Sequence, residues 1–336
     1  MIRTEIIILT NNIVIPFQDL ARENNLEFIE LNKLFATKSL AEHGLGFLIN
    51  IFKNEEQIVK FIFDTGSSNK TFLHNLDVRG YPLYDLDQII LSHWHYDHTG
   101  SFYNILNRIE NNKKIPVITH QDALNERMFI RTKRYNSEYF KGKSKEEIAD
   151  FISDSRVVTQ EPINIEKVRN SGGYLEFEEK KRTIFENDDL KVIVSGEIPR
   201  KHPIEDFSYF LSLQEGIYQE DKILDDKCMI FEFPDSSLVL TGCCHSGIMN
   251  TLDYARSLTS KPIQYIIGGL HLAHATEQRY DTTINYLREL IKDKSSCKLF
   301  PIHCSGEEII RKVNSLGDKN LYAYNPSVGT KFSFSM

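Results

Sequence analysis

The chain has 336 residues, of which 41% are hydrophobic and 26% are charged, and its formal net charge is -7. This composition predicts a globular protein with a sizeable core, and the negative charge gives no general attraction to nucleic acid. No apolar run approaches the roughly 20 residues of a membrane-spanning helix. The first residues lack the features of a signal peptide, and the five cysteines include no Cys-x-x-Cys pair, so we expect a cytoplasmic protein without a disulfide framework.

Apolar runs and turn residues predict strands first, and then strands that alternate with helices. The predicted strands cover residues 5–9, 46–52, 58–63, 88–91, 115–119, 190–195, 228–233, 237–241, 263–267 and 298–302, and the helices cover 101–110, 248–258 and 278–292. This order predicts an α/β fold in which two sheets pack face to face with helices outside. We therefore expect one four-layer αββα sandwich over residues 1–336.

Residues 121–189 interrupt this pattern and are expected to form a charged helical insertion that could act as a lid. Basic and aromatic residues are interleaved here, namely Arg127, Arg131, Lys133, Arg134, Lys141, Lys143 and Lys145 with Tyr135, Tyr139 and Phe140. A solvated surface with no functional role explains this segment equally well. The alternative is a surface that contacts a phosphorylated or aromatic substrate.

The strongest functional signal is His-Trp-His-Tyr-Asp-His at residues 93–98, directly after a predicted strand. At the end of an extended segment, residues two apart point the same way, so His93 and His95 can bind one cation. Asp97 and His98 follow as the backbone turns into a helix, and they can bind a second cation nearby. These ligands suit one or two divalent ions, with zinc favoured and manganese, iron or magnesium as alternatives.

Three later strands also end in residues that can bind a metal or a substrate. Cys243 and His245 follow the strand at 237–241, and His271 and His303 follow the next two strands. A thiolate is a good zinc ligand, although Cys243 could instead pack as a small hydrophobe. His245 could bind a metal or transfer a proton, and the helix that begins after it could hold a phosphate. His303 is expected to contact substrate.

Asp64 opens an Asp-Thr-Gly-Ser turn, which also occurs around the catalytic carboxylates of aspartic proteases. Those enzymes need two carboxylates that share a proton, and this chain has no second Asp-Thr-Gly. The sequence therefore argues against an aspartic protease.

Together these motifs resemble the metallo-β-lactamase superfamily, and within it the 7,8-dihydropterin-6-yl-methyl-4-(β-D-ribofuranosyl)aminobenzene 5′-phosphate synthase group. The motifs that carry the resemblance are Glu42-His43-Gly44-Leu45, Asp64-Thr65-Gly66, His93-x-His95-x-Asp97-His98, Ser195-Gly196-Glu197-Ile198-Pro199-Arg200, Thr241-Gly242-Cys243-x-His245 and Gly268-Gly269-x-His271. Trp94, Ser101 and the charged insertion depart from the pattern of this group.

The resemblance implies roles for several of these residues. It implies metal ligands at His93, His95, Asp97, His98 and His271, with Cys243 in place of an aspartate that bridges both metals. It places Asp64 behind the metal loop, held to it by hydrogen bonds. The family's remaining histidine is absent from its usual turn, where Glu197, His202 or His245 could replace it. His43, Arg200 and His303 are expected to bind substrate, and Asp97, His245 and His303 to take part in catalysis.

The activity that the resemblance implies is a metal-dependent transfer of tetrahydromethanopterin-type biosynthesis. A pterinylmethyl diphosphate would be joined to a ribofuranosylaminobenzene phosphate, with release of pyrophosphate. Arg200 and the basic insertion would hold the second substrate's phosphate, and aromatic residues of the insertion would stack on the pterin. The same ligands would serve a metal-dependent hydrolase of a phosphodiester, lactone or thioester, and a non-catalytic sensor is a third hypothesis. In each enzyme hypothesis the expected partner is a small molecule and neither a membrane nor a nucleic acid.

Overall fold

The computed structural model describes the chain except residues 16–21, 24–25, 30–37, 110–112, 131–136, 153–156, 206–209 and 292–295, and it describes only the backbone of residues 22–23 and 26–29. The first large sheet contains β1 (Ile2–Thr10), β2 (Arg22–Glu23), β3 (Leu26–Ile29), β4 (Gly46–Lys53), β5 (Glu56–Thr65), β6 (Gln88–Ile90), β7 (Ile115–Thr119), β10 (Gly173–Phe177) and β20 (Lys331–Ser335). Their order across the sheet is β10-β7-β6-β5-β4-β1-β20-β3-β2. Because β5, β6 and β7 run parallel, their carboxyl ends lie at one edge.

The second large sheet contains β11 (Arg182–Glu186), β12 (Lys191–Val194), β15 (Cys228–Glu232), β16 (Ser237–Thr241), β17 (Ile263–Gly268), β18 (Cys297–Pro301) and β19 (Leu321–Ala323), which lie side by side in chain order. Strands β16, β17 and β18 are parallel. The loops that follow them therefore leave this sheet at one edge, as in the first sheet.

The helices are α1 (Asn69–Val78), α2 (Tyr96–Thr99), α3 (Phe102–Arg108), α4 (Ala149–Ile152), α5 (Ile165–Asn170), α6 (Ile248–Leu258), α7 (Glu277–Leu290) and α8 (Glu308–Ser315). Within the described part of the chain, none of them combines the length and apolar character that crossing a bilayer requires.

Three apolar clusters hold the layers together. Phe47 and Phe63 of the first sheet pack against Phe231 and Phe300 of the second, which joins the two sheets. A second cluster covers the outer face of the first sheet with residues of α1 and α3, and a third covers the second sheet with residues of α6, α7 and α8. The predicted αββα sandwich is therefore confirmed.

A small third sheet lies outside the two large ones. It contains β8 (Arg127–Ile130), β9 (Val157–Gln160), β13 (Phe210–Gln214) and β14 (Ile217–Glu220), in the order β14-β13-β8-β9. Its own core includes Met128, Phe140, Leu211 and Tyr218.

The helical character expected for residues 121–189 needs correction. The described residues of this segment include only the short helices α4 and α5 and two 3-10 turns, whereas β8 and β9 enter the small sheet. The next two strands, β10 and β11, belong to the two large sheets. The physical reason is that these short apolar stretches pair with strands distant in the sequence, and such pairing outweighs local helix propensity.

Candidate metal centre

Loops that follow four strands bring the candidate ligands together. The loop after β6 carries the four candidate ligands of the stretch 93–98, and the loop after β16 carries Cys243 and His245. The loops after β17 and β18 carry His271 and His303. The two sheets thus contribute to one site at the edge where their parallel strands end.

The first group of ligands consists of His93, His95 and His245. All three are buried, and one ring nitrogen of each lies within 4.8 Å of the others. The Nε2 atoms of His93 and His95 and both ring nitrogens of His245 are buried and have no hydrogen-bond partner. Burial lowers the pKa of all three imidazoles well below its ordinary value, which keeps them neutral. Neutral nitrogens that converge without partners fit a divalent metal ion.

Hydrogen bonds behind this group fix the tautomer of His93. Asp64 accepts hydrogen bonds from the backbone N–H of Ser92 at 2.7 Å and from its hydroxyl at 2.6 Å. The Ser92 hydroxyl lies 2.8 Å from His93 Nδ1. Since that hydroxyl donates its one proton to Asp64, His93 Nδ1 must donate to Ser92 Oγ. His93 Nε2 is then the lone-pair nitrogen that faces the group, as metal binding requires.

The second group consists of Asp97, His98, Cys243 and His303, whose ligand atoms also lie within 4.8 Å of one another. His98 Nε2 is 3.1 Å from Cys243 Sγ, and His98 Nδ1 is 2.6 Å from Asp64 Oδ2. Burial alone would lower the pKa of His98, but attraction by Asp64 and Asp97 raises it to about 9. Burial raises the pKa of the Cys243 thiol well above its ordinary value, so Cys243 and His98 both carry protons in the metal-free protein. Loss of these protons on metal binding would leave a thiolate, an imidazole and a carboxylate, a set that fits a divalent cation. The rings of His93 and His98 are 4.3 Å apart between centroids, so the two groups adjoin.

Asp97 also links the second group to the surface. Its Oδ2 lies 3.2 Å from His303 Nε2 and 3.3 Å from His43 Nε2, and the two imidazoles stack with centroids 4.7 Å apart. Burial would raise the pKa of Asp97, but attraction by His98 and the contacts with His303 and His43 hold it well below its ordinary value. The carboxylate is therefore ionised. The His43 side chain is 57% exposed, so this partner of the buried carboxylate reaches the protein surface.

Backbone contacts hold the metal loop, residues 93–100, against the turn that follows β5. Gly100 N donates to Gly66 O at 2.7 Å, and Thr65 Oγ1 donates to the carbonyl of His98 at 3.0 Å. A Cβ atom at Gly100 would lie 1.8 Å from the carbonyl oxygen of Ser67. The Asp-Thr-Gly-Ser turn and the metal loop thus pack backbone against backbone, and Asp64 makes the hydrogen bonds expected of it.

His271 lies beside the first group. Its ring centroid is 4.5 Å from that of His245, but it belongs to neither group of mutually close ligand atoms. Burial lowers the pKa of His271 to about 4, so its imidazole is neutral. The structure thus brings this predicted ligand next to the centre.

His245 is the third ligand of the first group, the place for which Glu197, His202 and His245 were the candidates. Glu197 lies outside both groups, and its Oε1 is 3.1 Å from His120 Nε2. His202 is also outside, paired with Asp253 at 2.8 Å. The structure therefore does not bring the predicted ligand Glu197 to the centre, because its turn directs it toward His120.

Arg200 and the start of α6, which were predicted to bind phosphate, make hydrogen bonds within the protein. The Arg200 guanidinium donates to backbone carbonyls of His245, Lys222 and Ile223. The start of α6 is also occupied, because Glu205 accepts hydrogen bonds from Met249 N and Asn250 N. Arg200 nevertheless lines a cavity of about 400 Å³ together with Lys201, His202 and Lys222.

The described basic residues of the insertion also have partners within the chain. Lys141 pairs with Glu138 and Glu220, Lys145 pairs with Glu126, Lys143 lies over the ring of Tyr139, and Arg127 pairs with Asp221 and Asp225. Arg131, Lys133, Arg134 and Tyr135 lie outside the described residues. The described part of this stretch therefore stabilises the small sheet.

Two aromatic side chains next to the ligands were not predicted from the sequence. Phe129 of β8 has its ring centroid 4.8 Å from that of His95, and Phe210 of β13 lies 5.1 Å from both His95 and His245. Each lies in a short contiguous apolar run, which indicates a strand and carries no functional signal.

The fold and the two groups of ligands define a metallo-β-lactamase-fold protein with candidate sites for divalent metal ions. Residues 59–185 match the family model of the metallo-beta-lactamase superfamily. The crystal structure of Tm1679, a metal-dependent hydrolase of the beta-lactamase superfamily, superposes with a TM-score of 0.65 at 19% identity and covers 98% of each chain. At that identity the likeness shows the fold alone.

Two curated relatives come from Methanocaldococcus jannaschii. An uncharacterized protein is 28% identical over 285 residues, which cover 84% of this chain and 91% of the relative. The 7,8-dihydropterin-6-methyl-4-(beta-D-ribofuranosyl)-aminobenzene-5'-phosphate synthase is 25% identical over 268 residues, covering 79% of this chain and 82% of the relative. The resemblance seen in the sequence motifs is thereby confirmed, and the superfamily and this relative both favour an enzyme.

Proposed function

We propose that this chain is a metal-dependent transferase that joins a pterinylmethyl diphosphate to a ribofuranosylaminobenzene phosphate and releases pyrophosphate. The observation that carries the proposal is the pair of adjoining ligand groups, with the unpartnered nitrogens of His93, His95 and His245. The choice of reaction is supported by the 25% identity to the synthase of M. jannaschii. We include a small phosphorylated substrate and a cytoplasmic location in this proposal.

In this reaction the arylamine nitrogen attacks the methylene carbon attached to the pterin. A C–N bond forms, the C–O bond to the diphosphate breaks, and pyrophosphate leaves with the electron pair. Divalent ions, with zinc favoured by the imidazole and thiolate ligands, would neutralise the negative charge that develops on this leaving group. The first ion would be held by His93, His95 and His245, and the second by Asp97, His98, Cys243 and His303.

The amine loses a proton when the C–N bond forms, and we assign His43 as the side chain that accepts it. Its imidazole is the exposed member of the stacked pair with His303, and Asp97 Oδ2 lies 3.3 Å from its Nε2. The contact with this carboxylate holds the imidazole at the exposed side of the second group. This extends the predicted role of His43 from binding substrate to proton transfer.

We assign the phosphate of the second substrate to the cavity lined by Arg200, whose lining also includes Glu205 and Glu220. Arg200 shapes the wall of this cavity through its bonds to the backbone, while Lys201 and Lys222 on the same wall supply exposed positive charge. Arg200 would thus hold His245 and the cavity wall in place, and the two lysines would contact the phosphate.

The test is to load the protein with zinc or manganese and measure pyrophosphate release with each substrate alone and with both together. Release only in the presence of both, with formation of the joined product, is the expected result. His95→Ala should abolish metal-dependent release and lower the metal content. His74→Ala is the matched control, because His74 contacts the carbonyl of Lys38 and not the centre.

The same experiment distinguishes transfer to the arylamine from hydrolysis, in which water attacks the substrate instead. Metal-dependent cleavage of one substrate alone, or of a phosphodiester, lactone or thioester, would replace the transferase proposal with a hydrolase. Full activity of His95→Ala would remove the metal centre from the reaction altogether.

A further inference from the structure

Two aromatic side chains of the small sheet line the first ligand group. Phe129 and Phe210 are direct partners in the antiparallel pairing of β8 with β13, and their rings meet edge to face with centroids 5.7 Å apart. Phe129 meets His95 edge to face with centroids 4.8 Å apart, and the centroid of Phe210 is 5.1 Å from those of His95 and His245. Both rings are half-buried. They therefore form one aromatic surface that is partly open to solvent and directly adjoins the metal ligands.

The strand alternation shows that this surface is separate from the small sheet's core. Met128 and Leu211, which are sequence neighbours of Phe129 and Phe210, are fully buried inside that core. Because successive side chains of a strand point to opposite faces, the two phenylalanines point the other way, toward the ligands. Neither ring is needed to fill the small core, and both leave apolar surface exposed next to a polar centre.

The sheet that carries this surface is tied to the metal loop. Arg127, two residues before Phe129 on the same face of β8, donates to Asp225 at 2.7 Å. Asp225 also accepts a hydrogen bond from the backbone N–H of Trp94, between His93 and His95, at 2.7 Å. At the open side, the ring of Tyr96 meets Phe129 with centroids 6.2 Å apart and is 40% exposed. The aromatic surface is thus held at a fixed distance from the ligands.

We propose that Phe129 and Phe210, with Tyr96 at the rim, form the subsite that receives the planar heteroaromatic ring of the substrate. The class of ligand is a flat, fused nitrogen heterocycle of pterin type, because such a ring offers a face and edges to aromatic partners while its substituent reaches the ligand groups. This inference rests on the proposed function for its choice of ring. The aromatic surface itself does not depend on whether the diphosphate is transferred or hydrolysed.

The test measures binding of 6-hydroxymethyl-7,8-dihydropterin, which contains the ring without the diphosphate, to the zinc-loaded protein by fluorescence. Phe129→Ala and Phe210→Ala should each raise Kd about 10- to 100-fold, as expected for loss of a large apolar contact. Phe129→Leu, which keeps apolar volume but loses the aromatic face, should show a smaller increase. Tyr174→Ala removes an exposed aromatic residue of β10 and should leave Kd unchanged.

Zinc content and pyrophosphate binding are measured on the same variants. Both should match the wild type in the phenylalanine variants, because the ring subsite contributes no ligand to the metal. Loss of zinc from these variants would overturn the proposal and show that the rings only support the ligands. Wild-type affinity for the pterin in the alanine variants, or in Phe129→Leu, would also overturn it.

The outcome is distinguishable from that of the proposed function. Phenylalanine-dependent binding of the pterin without pyrophosphate release from the two substrates would keep the subsite and remove the transferase. Two-substrate release that is indifferent to both phenylalanines would keep the transferase and remove the subsite.

Discussion

Arg127 and Asp225 form a buried ion pair that joins the small sheet to the metal loop. The Nη2···Oδ1 distance is 2.7 Å, and each side chain is 1% exposed. Arg127 Nε also lies 3.0 Å from Asp221 Oδ2. Burial would lower the pKa of Arg127, but attraction by the two aspartates raises it further above its ordinary range. The guanidinium therefore stays charged and is the cation in direct contact with both buried carboxylates.

Arg127→Met should lower the free energy of unfolding by about 3–5 kcal/mol, because the change leaves buried carboxylates uncompensated. Arg108→Met is the control, since Arg108 makes an exposed pair with Asp77 and should change stability by less than about 1 kcal/mol. Urea unfolding measures both. A loss in Arg127→Met no larger than in the control would contradict the structural role assigned to the buried pair.

Asp64→Asn should weaken metal binding about 10- to 100-fold, because an amide cannot accept hydrogen bonds at both former carboxylate oxygens. Asparagine suits the backbone here, since Asp64 has φ 57°, in the region that asparagine tolerates. Competition with a chelator measures the affinity, and Asp188→Asn on the exposed surface serves as the control. Unchanged affinity would show that the hydrogen bonds to His98 and Ser92 do not support the ligands.

Cys243→Ala should lower metal occupancy of the second group, whereas Cys244→Ala should not. Cys243 Sγ lies 3.1 Å from His98 Nε2, while Cys244 Sγ lies 3.3 Å from Thr251 Oγ1. Cobalt substitution separates the two thiols, because a bound thiolate gives a charge-transfer absorption. That absorption should disappear only in Cys243→Ala. Its persistence there would assign Cys243 to packing.

The stability of the metal-free protein should rise with pH between about 8 and 10.5, in part through Lys227. Burial lowers the pKa of this lysine from 10.5 to about 8, despite attraction by Asp225 and Asp226. In that interval the unfolded chain binds a proton that the folded chain does not, so raising the pH favours folding. Lys227 alone should contribute on the order of 3 kcal/mol across the interval.

Lys227→Met should remove that part of the pH dependence, and the difference from the wild type isolates it from titrating tyrosines and cysteines. Unfolding by urea at pH 8 and at pH 10 gives the comparison. Lys113→Met is the control, because Lys113 is exposed. Equal pH slopes in the wild type and Lys227→Met would refute the lowered pKa.

Local sequence was sufficient to predict most of the sandwich. The strands at 115–119 and 237–241 and the helix at 248–258 have the predicted bounds. Each is an apolar run bounded by turn residues, so its signal lies within the segment itself. The strand β20 was not predicted, because Lys331–Ser335 depends on antiparallel pairing with β1 at the other end of the chain.

The ligands were also predictable only where the signal lies within one short segment. His93, His95, Asp97 and His98 lie in one short motif, so their spacing alone indicated a metal site. His245 was only one of three residues named for the third ligand of the first group, because no local pattern tells which distant loop will meet His93 and His95. Phe129 and Phe210 gave no functional signal, since their role follows from how the small sheet lies on the ligands.

The close packing of Gly100 on Ser67 restricts how the metal loop can change. A single added methyl group at residue 100 would collide with main-chain atoms, which cannot rotate aside as a side chain does. Substitution there must therefore displace either the loop that holds four candidate ligands or the turn that holds Asp64. The metal loop and the Asp64 turn must therefore move together. A change in the reaction or substrate of this fold would have to come from residues around these two segments.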